Sequence, residues 1–296
     1  MRGKTIIITG ATSGIGEVAA IRLAEQGARI VFTARDKARA DETMAKLRKA
    51  GPDADHAVHM ADLSTLSEMK RVGALLAGEP QIDVLVNNAG ALFNKRQETA
   101  DGLEMTFALN HMGYFVITNL LLDKLKPGAR IVTVASNAHR GAKLRFDDLQ
   151  STRGYVGFPV YSKSNLANIL FNRELARRTP DGVTANALHP GFVATRFGDN
   201  SGGLMGTVMK VAKPIGAISP EEGAKTIIYL ASSPEVAGVT GQYFFECKPT
   251  TPTAEARNDA DAKRLWEASA QISAQSPGTF RNYPSSRRTF ILSTQQ

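Results

Sequence analysis

Short β-branched runs alternating with segments of helical period constrain this chain more than any other feature. The runs Thr5 to Thr9, Ala28 to Thr33, Ile82 to Val86, Arg130 to Val134 and Val183 to Leu188 are separated by helix-length stretches, the spacing of βαβ units. Ile6-Ile7-Ile8 and Val84-Leu85-Val86 are apolar without alternation, as strands buried on both faces must be. A mostly parallel sheet covered by helices on both faces follows, which is the doubly wound α/β fold class. Helices are predicted over 15–26, 38–50, 66–77, 103–125, 160–178, 220–231 and 254–273, with a last strand near 242–245.

The 296 residues, 43% of them hydrophobic, suffice for one large core, so residues 1–275 are expected to form a single domain. Residues 276–296 carry Pro277, Gly278, Pro284 and paired Arg287-Arg288 without apolar periodicity, and are expected to be a flexible extension. Gly and short apolar residues fill Phe192 to Ser219, beyond the carboxyl end of a strand, where a mobile substrate lid would lie. The single cysteine, Cys247, cannot form an internal disulfide, and no charged, apolar leader opens the chain, so a cytoplasmic location is expected. No run of about 18 apolar residues exists, which argues against a transmembrane segment but not against peripheral membrane contact. The net charge of +8 is dispersed and not interleaved with aromatics, so no nucleic-acid partner is expected. No metal-ligand cluster is visible either.

After the first strand comes Thr9-Gly10-Ala11-Thr12-Ser13-Gly14-Ile15-Gly16. Its glycines permit a tight turn, a close approach of backbone to a pyrophosphate, and close packing of helix on strand. Free amide N–H groups and the positive end of the helix dipole would then hold the anion without a basic side chain. Such a turn alone is a weak signal, since ordinary turns are also rich in glycine. It gains meaning from the strand before it and the helix after it.

This spacing, together with Asn87-Asn88-Ala89-Gly90 after the fourth strand, resembles the short-chain dehydrogenase/reductase family, with matching blocks from about Lys4 to Gln271. Within that family the chain is similar to the retinol-dehydrogenase-like group, on the patterns of residues 130–150 and 166–176. The resemblance implies a seven-stranded Rossmann sheet, an NAD(P)(H) cofactor, and a small-molecule alcohol or carbonyl substrate. Oligomerisation is common in the family, so a homo-oligomer is an open expectation. The implied cofactor contacts are Gly10, Thr12, Ser13, Gly14, Ile15 and Gly16 in the first turn, Asn88, Ala89 and Gly90 after the fourth strand, and Tyr161. Asp62 and Leu63 match positions that touch adenine, although Asp62 or Ser64 could instead cap the following helix. His189-Pro190-Gly191-Phe192-Val193-Ala194-Thr195 matches the segment that shapes the nicotinamide pocket, with Pro190, Gly191, Val193 and Thr195 as contacts. His189 itself, at a strand end before proline, reads as a packed histidine rather than an acid.

At the end of the second strand, an acidic residue would bind the 2′-hydroxyl of NAD, whereas a basic one pairs with the extra phosphate of NADP. Ala34 and Arg35 stand at that bend, which favours NADP(H) over NAD(H), although Arg35 could be a solvated loop residue and Asp36 keeps NAD(H) in play.

The family's catalytic serine, tyrosine and lysine fall by resemblance at Ser136, Tyr161 and residue 165, with Asn110 in support; residue 165 is asparagine. Ser136 could otherwise be a turn cap and Tyr161 a packed aromatic. Both gain weight from their order relative to the glycine turn and the Asn-Asn-Ala-Gly run. Residues 161 and 165 share one helix face. A lysine about 4 Å from a phenolate is worth ~4 kcal/mol at an effective dielectric near 20. Asparagine can replace its hydrogen bond but not its charge, so weakened chemistry with retained cofactor binding is expected. Lys163 is rotated about 200° around the helix and reads as a solvated side chain. Two functions follow: an NADP(H)-dependent oxidoreductase acting on an alcohol or carbonyl, with an apolar substrate if the group likeness extends that far, or a dinucleotide-binding sensor or scaffold that has lost efficient catalysis through Asn165.

Overall fold

In the sheet, β1 (Thr5–Thr9) lies at the centre because both of its faces must be covered: Ile6, Ile7 and Ile8 have no exposed surface. The computed structural model describes residues 1–193 and 218–274. Thr195, most of the expected lid and the 276–296 extension lie outside these residues. Around β1 stand β2 (Arg29–Ala34), β3 (Ala57–Met60), β4 (Val84–Asn87), β5 (Arg130–Val134), β6 (Thr184–Leu188), β7 (Tyr243–Phe245) and β8 (Lys248–Pro249), in the order β3-β2-β1-β4-β5-β6-β7-β8. The pairs from β3 to β7 are parallel; β8 is antiparallel to β7.

The helices are α1 (Gly14–Glu25), α2 (Lys37–Ala50), α3 (Leu66–Leu76), the single turn α4 (Met105–Phe107), α5 (Gly113–Leu121), α6 (Gly157–Leu175), α7 (Pro220–Ser232) and α8 (Asp259–Ala274). Strand residues alternate between two layers, as the period of two requires. Ile6, Ile8, Ile30, Phe32, Val84 and Val86 pack with α1, α2 and α7, whereas Ile7, Val31, Leu85 and Ile131 pack with α3, α5 and α6. The sheet order reverses between β1 and β4, and ligands of open α/β sheets bind in the crevice beyond the strands' carboxyl ends at such a point.

Four differences from the sequence reading have physical causes. The sheet has eight strands, not seven, because Glu246 and Cys247 adopt positive φ (48° and 59°) and turn the chain back into β8. Non-glycine residues rarely do this, so the sequence carries no turn signal there. The segment expected as one helix over 103–125 is broken by a π-helical turn at Ala108–Met112, and such bulges recur at functional sites. Met105–Lys124 is long and apolar enough to cross a membrane by length and composition, but most of it is buried inside the fold, against α3 and α6. α6 starts at Gly157, three residues early: Pro159 reads as a stop, yet in a first helical turn its missing N–H costs nothing. A Cβ at Gly157 would lie 2.5 Å from the Phe93 carbonyl oxygen, so this approach needs glycine.

Candidate active site

The glycine turn is closed by side chains from the neighbouring strand end. Thr9 Oγ1 accepts the N–H groups of Asn88 (2.9 Å) and Ala89 (3.1 Å), and the Asn88 amide donates to the carbonyls of Thr9 (3.0 Å) and Gly10 (2.9 Å). Asn88, expected to touch the cofactor, thus holds the turn in shape through its side chain. A Cβ at Gly10 would sit 2.7 Å from Ala89 Cα, and one at Gly16 would sit 2.3 Å from Asn88 Nδ2 and 2.4 Å from the Gly10 carbonyl oxygen. Gly10 and Gly14 have φ of 69° and 59°, the left-handed region that glycine enters without steric cost. Ser13, the N-cap of α1, makes no side-chain cap bond, so the first-turn amides are open to a ligand anion. Exposed Ser13 and half-buried Thr12 stand beside them.

At the end of β2, Arg35 is exposed and makes no ion pair with a described residue. Asp36 is the N-cap of α2 and accepts the Arg39 N–H at 2.9 Å, so the carboxylate that kept NAD(H) in play is engaged in holding the helix. Beyond β3, exposed Asp62 accepts the Ser64 N–H (3.1 Å) within a turn. Neither Asp62 nor Ser64 caps α3: Thr65 is its N-cap, and the Asp101 carboxylate accepts the Leu66 N–H at 2.7 Å. The Leu63 side chain is in the core, which leaves only its backbone for a ligand.

Asn110 lies in the π-helical turn and is clamped to the loop after β4. Its Oδ1 accepts the Ala91 N–H (2.9 Å), while its Nδ2 donates to the Ala91 carbonyl (3.0 Å) and to Ser164 Oγ on α6 (3.0 Å). Exposed Gly90 leaves room for this, since a Cβ there would be 3.3 Å from Asn110 Oδ1. Ser164 Oγ then donates to the Tyr161 carbonyl (2.8 Å), as does Asn165 Nδ2 (2.9 Å). Loop, bulge and helix are therefore tied together around Tyr161.

The phenol of Tyr161 has Ser136 and Asn165 as its side-chain hydrogen-bonding neighbours. Burial raises its pKa above the usual tyrosine value, and these two hydrogen bonds oppose that shift only in part. Among the described residues, two buried phenols, Tyr114 on α5 and Tyr243 on β7, interact with it electrostatically, and both are raised by burial. Lys163 points the other way, toward Ser151 Oγ (3.5 Å), and is half-buried rather than solvated.

Ser136 follows β5 and caps a 3₁₀ turn, its Oγ accepting the Ala138 N–H (3.1 Å). The sequence reading missed His139, which is fully buried: its Nδ1 donates to the Ser136 carbonyl (2.8 Å) because its Nε2 accepts the Thr253 N–H (3.4 Å). His189 packs as expected, its ring stacked on Phe245 at 4.2 Å, with Nδ1 accepting the Gly191 N–H (3.3 Å). Burial pushes its pKa down to about 4, so it is neutral. Gly191 has φ of 88° after Pro190. Val193 pairs with Ile218, and a Cβ at Gly223 on α7 would meet Val193 Cγ2 at 2.6 Å and Ile15 Cγ2 at 2.9 Å. Gly223 was also missed, although a glycine inside a helix, disfavoured by ~1 kcal/mol, is a signal of close approach.

Glycine turn, switch-point crevice and a serine-tyrosine pair at the strand ends define a dinucleotide-binding oxidoreductase architecture. The short chain dehydrogenase profile matches residues 4–202. Retinol dehydrogenase 14 of Mus musculus is 42% identical over 290 residues, covering 91% of this chain and 85% of that protein. Retinol dehydrogenase 13 of Homo sapiens is 39% identical over 295 residues, covering 95% and 88%. Among solved structures, a protein from Mycobacterium Paratuberculosis superposes with a TM-score of 0.74 at 30% identity, covering 93% of this chain and 95% of that one. The Pseudomonas aeruginosa RhlG/NADP active-site complex gives 0.65 at 27%, covering 82% and 94%. The chain belongs to the short-chain dehydrogenase/reductase family and, within it, to the retinol-dehydrogenase-like group. This is an oxidoreductase family that binds NAD(P)(H).

The cradle fits such a dinucleotide: two glycine sites that a Cβ would block, open helix N-terminal amides, and no acidic side chain intruding from Thr9 to Gly16. Gly16→Ala is therefore expected to weaken dinucleotide binding by at least about tenfold, because a methyl forced into occupied space displaces Asn88 and opens the turn. Cofactor fluorescence titration measures this; parental affinity would remove the cradle from this turn.

Proposed function

We propose that the protein is an NADP(H)-dependent oxidoreductase that interconverts an alcohol and a carbonyl on an apolar small molecule. The observation that carries this reading is the Tyr161 phenol beside Ser136 and Asn165, on the helix that Asn110 ties to the loop after β4. The bound dinucleotide would be held by Gly10 to Gly16, Ala89, Gly90, Pro190, Gly191 and Val193, and it supplies or accepts the hydride. In carbonyl reduction, Tyr161 donates its phenolic proton to the substrate oxygen, where negative charge develops. Ser136 positions that oxygen through its hydroxyl, and Asn165 orients the phenol. Asn110 acts one step back, fixing the Tyr161 segment through Ser164. In alcohol oxidation Tyr161 must first lose its proton so that the phenolate can accept one from the alcohol, and its raised pKa keeps that phenolate scarce near neutral pH.

The preference for NADP(H) rests on exposed Arg35, on Ala34 in place of an acid, and on Asp36 being engaged as a helix cap. Arg35→Glu is expected to weaken NADPH binding about tenfold to a hundredfold, the size of a lost charge-assisted contact, and to leave NADH nearly unaffected. Equal losses for both cofactors in fluorescence titration would place the 2′-phosphate elsewhere. The apolar substrate class is supported by exposed Val156 and Phe158 at the start of α6 and by exposed Phe192 after Gly191, with the Phe158 ring 6.4 Å from that of Tyr161. The retinol dehydrogenases among the relatives point to the same class.

A panel of aliphatic, aromatic and polyene aldehydes and ketones, assayed with NADPH and with NADH, tests the proposal. Turnover with NADPH that rises with substrate apolarity is expected. Absence of turnover for every carbonyl, with NADPH still bound, would overturn it.

A further inference from the structure

Helix α8 lies beyond residues 4–202, the part of the chain that matches the family profile, yet it reaches the active site through one buried histidine. His111 follows Asn110 in the π-helical turn and has no exposed surface. Its Nε2 lies 2.8 Å from Ser269 Oγ on α8, also fully buried. Asn168 of α6 is its other polar neighbour, but His111 Nδ1 and Asn168 Oδ1 make no hydrogen bond with a described residue. The bond between Nε2 and the Ser269 hydroxyl is therefore what ties this ring to α8. Burial holds the ring neutral.

Around the ring stand Phe107 (5.1 Å), Phe171 (6.1 Å) and Phe115 (6.4 Å). Trp266 of α8 stacks on Phe171 (5.8 Å, 11°) and meets Phe115 edge-on (5.0 Å). The Arg178 guanidinium covers Trp266 at 4.8 Å, and Asp259 at the start of α8 pairs with Arg173 of α6 and with Arg177 just beyond that helix. The helix is thus seated by aromatic packing and charge, while its one polar contact to the bulge is Ser269 to His111 among the described residues. A π-helical turn has poorer hydrogen-bond geometry than the α-helix on either side and persists only where its surroundings fix it. Here Asn110 fixes it from the site and His111 from behind.

We infer that α8 is a positioning element of the active site: Ser269, through its hydrogen bond to His111, fixes the π-helical turn that presents Asn110 to Ala91 and Ser164. This rests on the reading of Asn110 as part of the site proposed above. Ser269 and His111 are positioning residues, since neither touches the site directly. Without the hydroxyl, the buried Nε2 loses its hydrogen-bond partner, and the turn can relax toward α-helical register and shift Asn110.

The test uses the full chain. In cofactor-free Ser269→Ala, the Ala91 amide, which donates to Asn110 Oδ1, is expected to exchange with solvent about tenfold faster, the loss of one such hydrogen bond. With NADPH and a reducible carbonyl, kcat is expected to fall about tenfold with the NADPH dissociation constant unchanged, and Ser269→Thr is expected to restore both readouts. Leu47→Ala, a fully buried truncation on the other face of the sheet, serves as a destabilised control that keeps parental kcat. Unchanged Ala91 exchange in Ser269→Ala, or an equal loss of kcat in Leu47→Ala, would overturn the inference. If the parent turns over no carbonyl, the proposed reaction fails, and Ala91 exchange alone still decides the role of α8.

Discussion

Replacing Tyr161 by Phe is expected to lower NADPH-dependent carbonyl reduction about 10²- to 10⁴-fold, the contribution of a positioned general acid. The substitution removes one oxygen and keeps the ring, which packs 6.4 Å from Phe158. Ser164 and Asn165 bond to the Tyr161 backbone carbonyl, so the helix turn that carries the ring is unaffected. Cofactor affinity should therefore hold, and the loss should appear in kcat. Steady-state kinetics beside fluorescence titration separate the two. Parental kcat in the variant would assign the proton to another group.

Asn165→Lys is expected to raise alcohol oxidation at pH 7 by about a hundredfold, because an ammonium about 4 Å from the phenolate is worth ~4 kcal/mol before desolvation is subtracted. Asn165 is nearly buried and bonds the phenol without charge, while burial holds the Tyr161 pKa above its ordinary value. Among the described residues, the groups that bear on that phenol include Ser136 after β5, Asn165 on α6, Tyr114 on α5 and Tyr243 on β7, all of them uncharged near neutral pH. The sign follows from these. Below the raised pKa the phenol is protonated, so carbonyl reduction should be flat from about pH 6 to 9, whereas oxidation should climb with pH across the whole range. In the lysine variant the oxidation limb should move to lower pH. Identical oxidation profiles for parent and variant would show that charge at residue 165 does not control the phenol.

Much of the fold was legible because strands buried on both faces must be uniformly apolar. Ile6-Ile7-Ile8 and Val84-Leu85-Val86 could be placed at the sheet centre from sequence alone. The edges were less legible. β3 is half-exposed and four residues long, and β8 depends on Glu246 and Cys247 at positive φ. The candidate site divides in the same way. Gly10 and Gly16 were legible because a close backbone approach demands glycine, whereas Ser136 and Tyr161 were placed by resemblance to the family, and the fold sets those two side chains beside each other. His139, Gly223 and Ser269 were not singled out, because Thr253, Ile15 and His111, which each of them meets, are distant in the chain and only the folded structure brings them together. Asn88, Asp36 and Leu63 show the converse: each stands at a ligand-facing position in the sequence pattern, and the structure uses their side chains to hold a turn, cap a helix and fill the core.

The most direct test is a crystal structure with NADP⁺ and a carbonyl-bearing substrate analogue bound. The expected result is the Tyr161 hydroxyl within hydrogen-bonding reach, ~2.6–3.2 Å, of the analogue's oxygen, with Ser136 Oγ beside it. An analogue seated with its oxygen against other groups, and the Tyr161 hydroxyl turned away from it, would contradict the account.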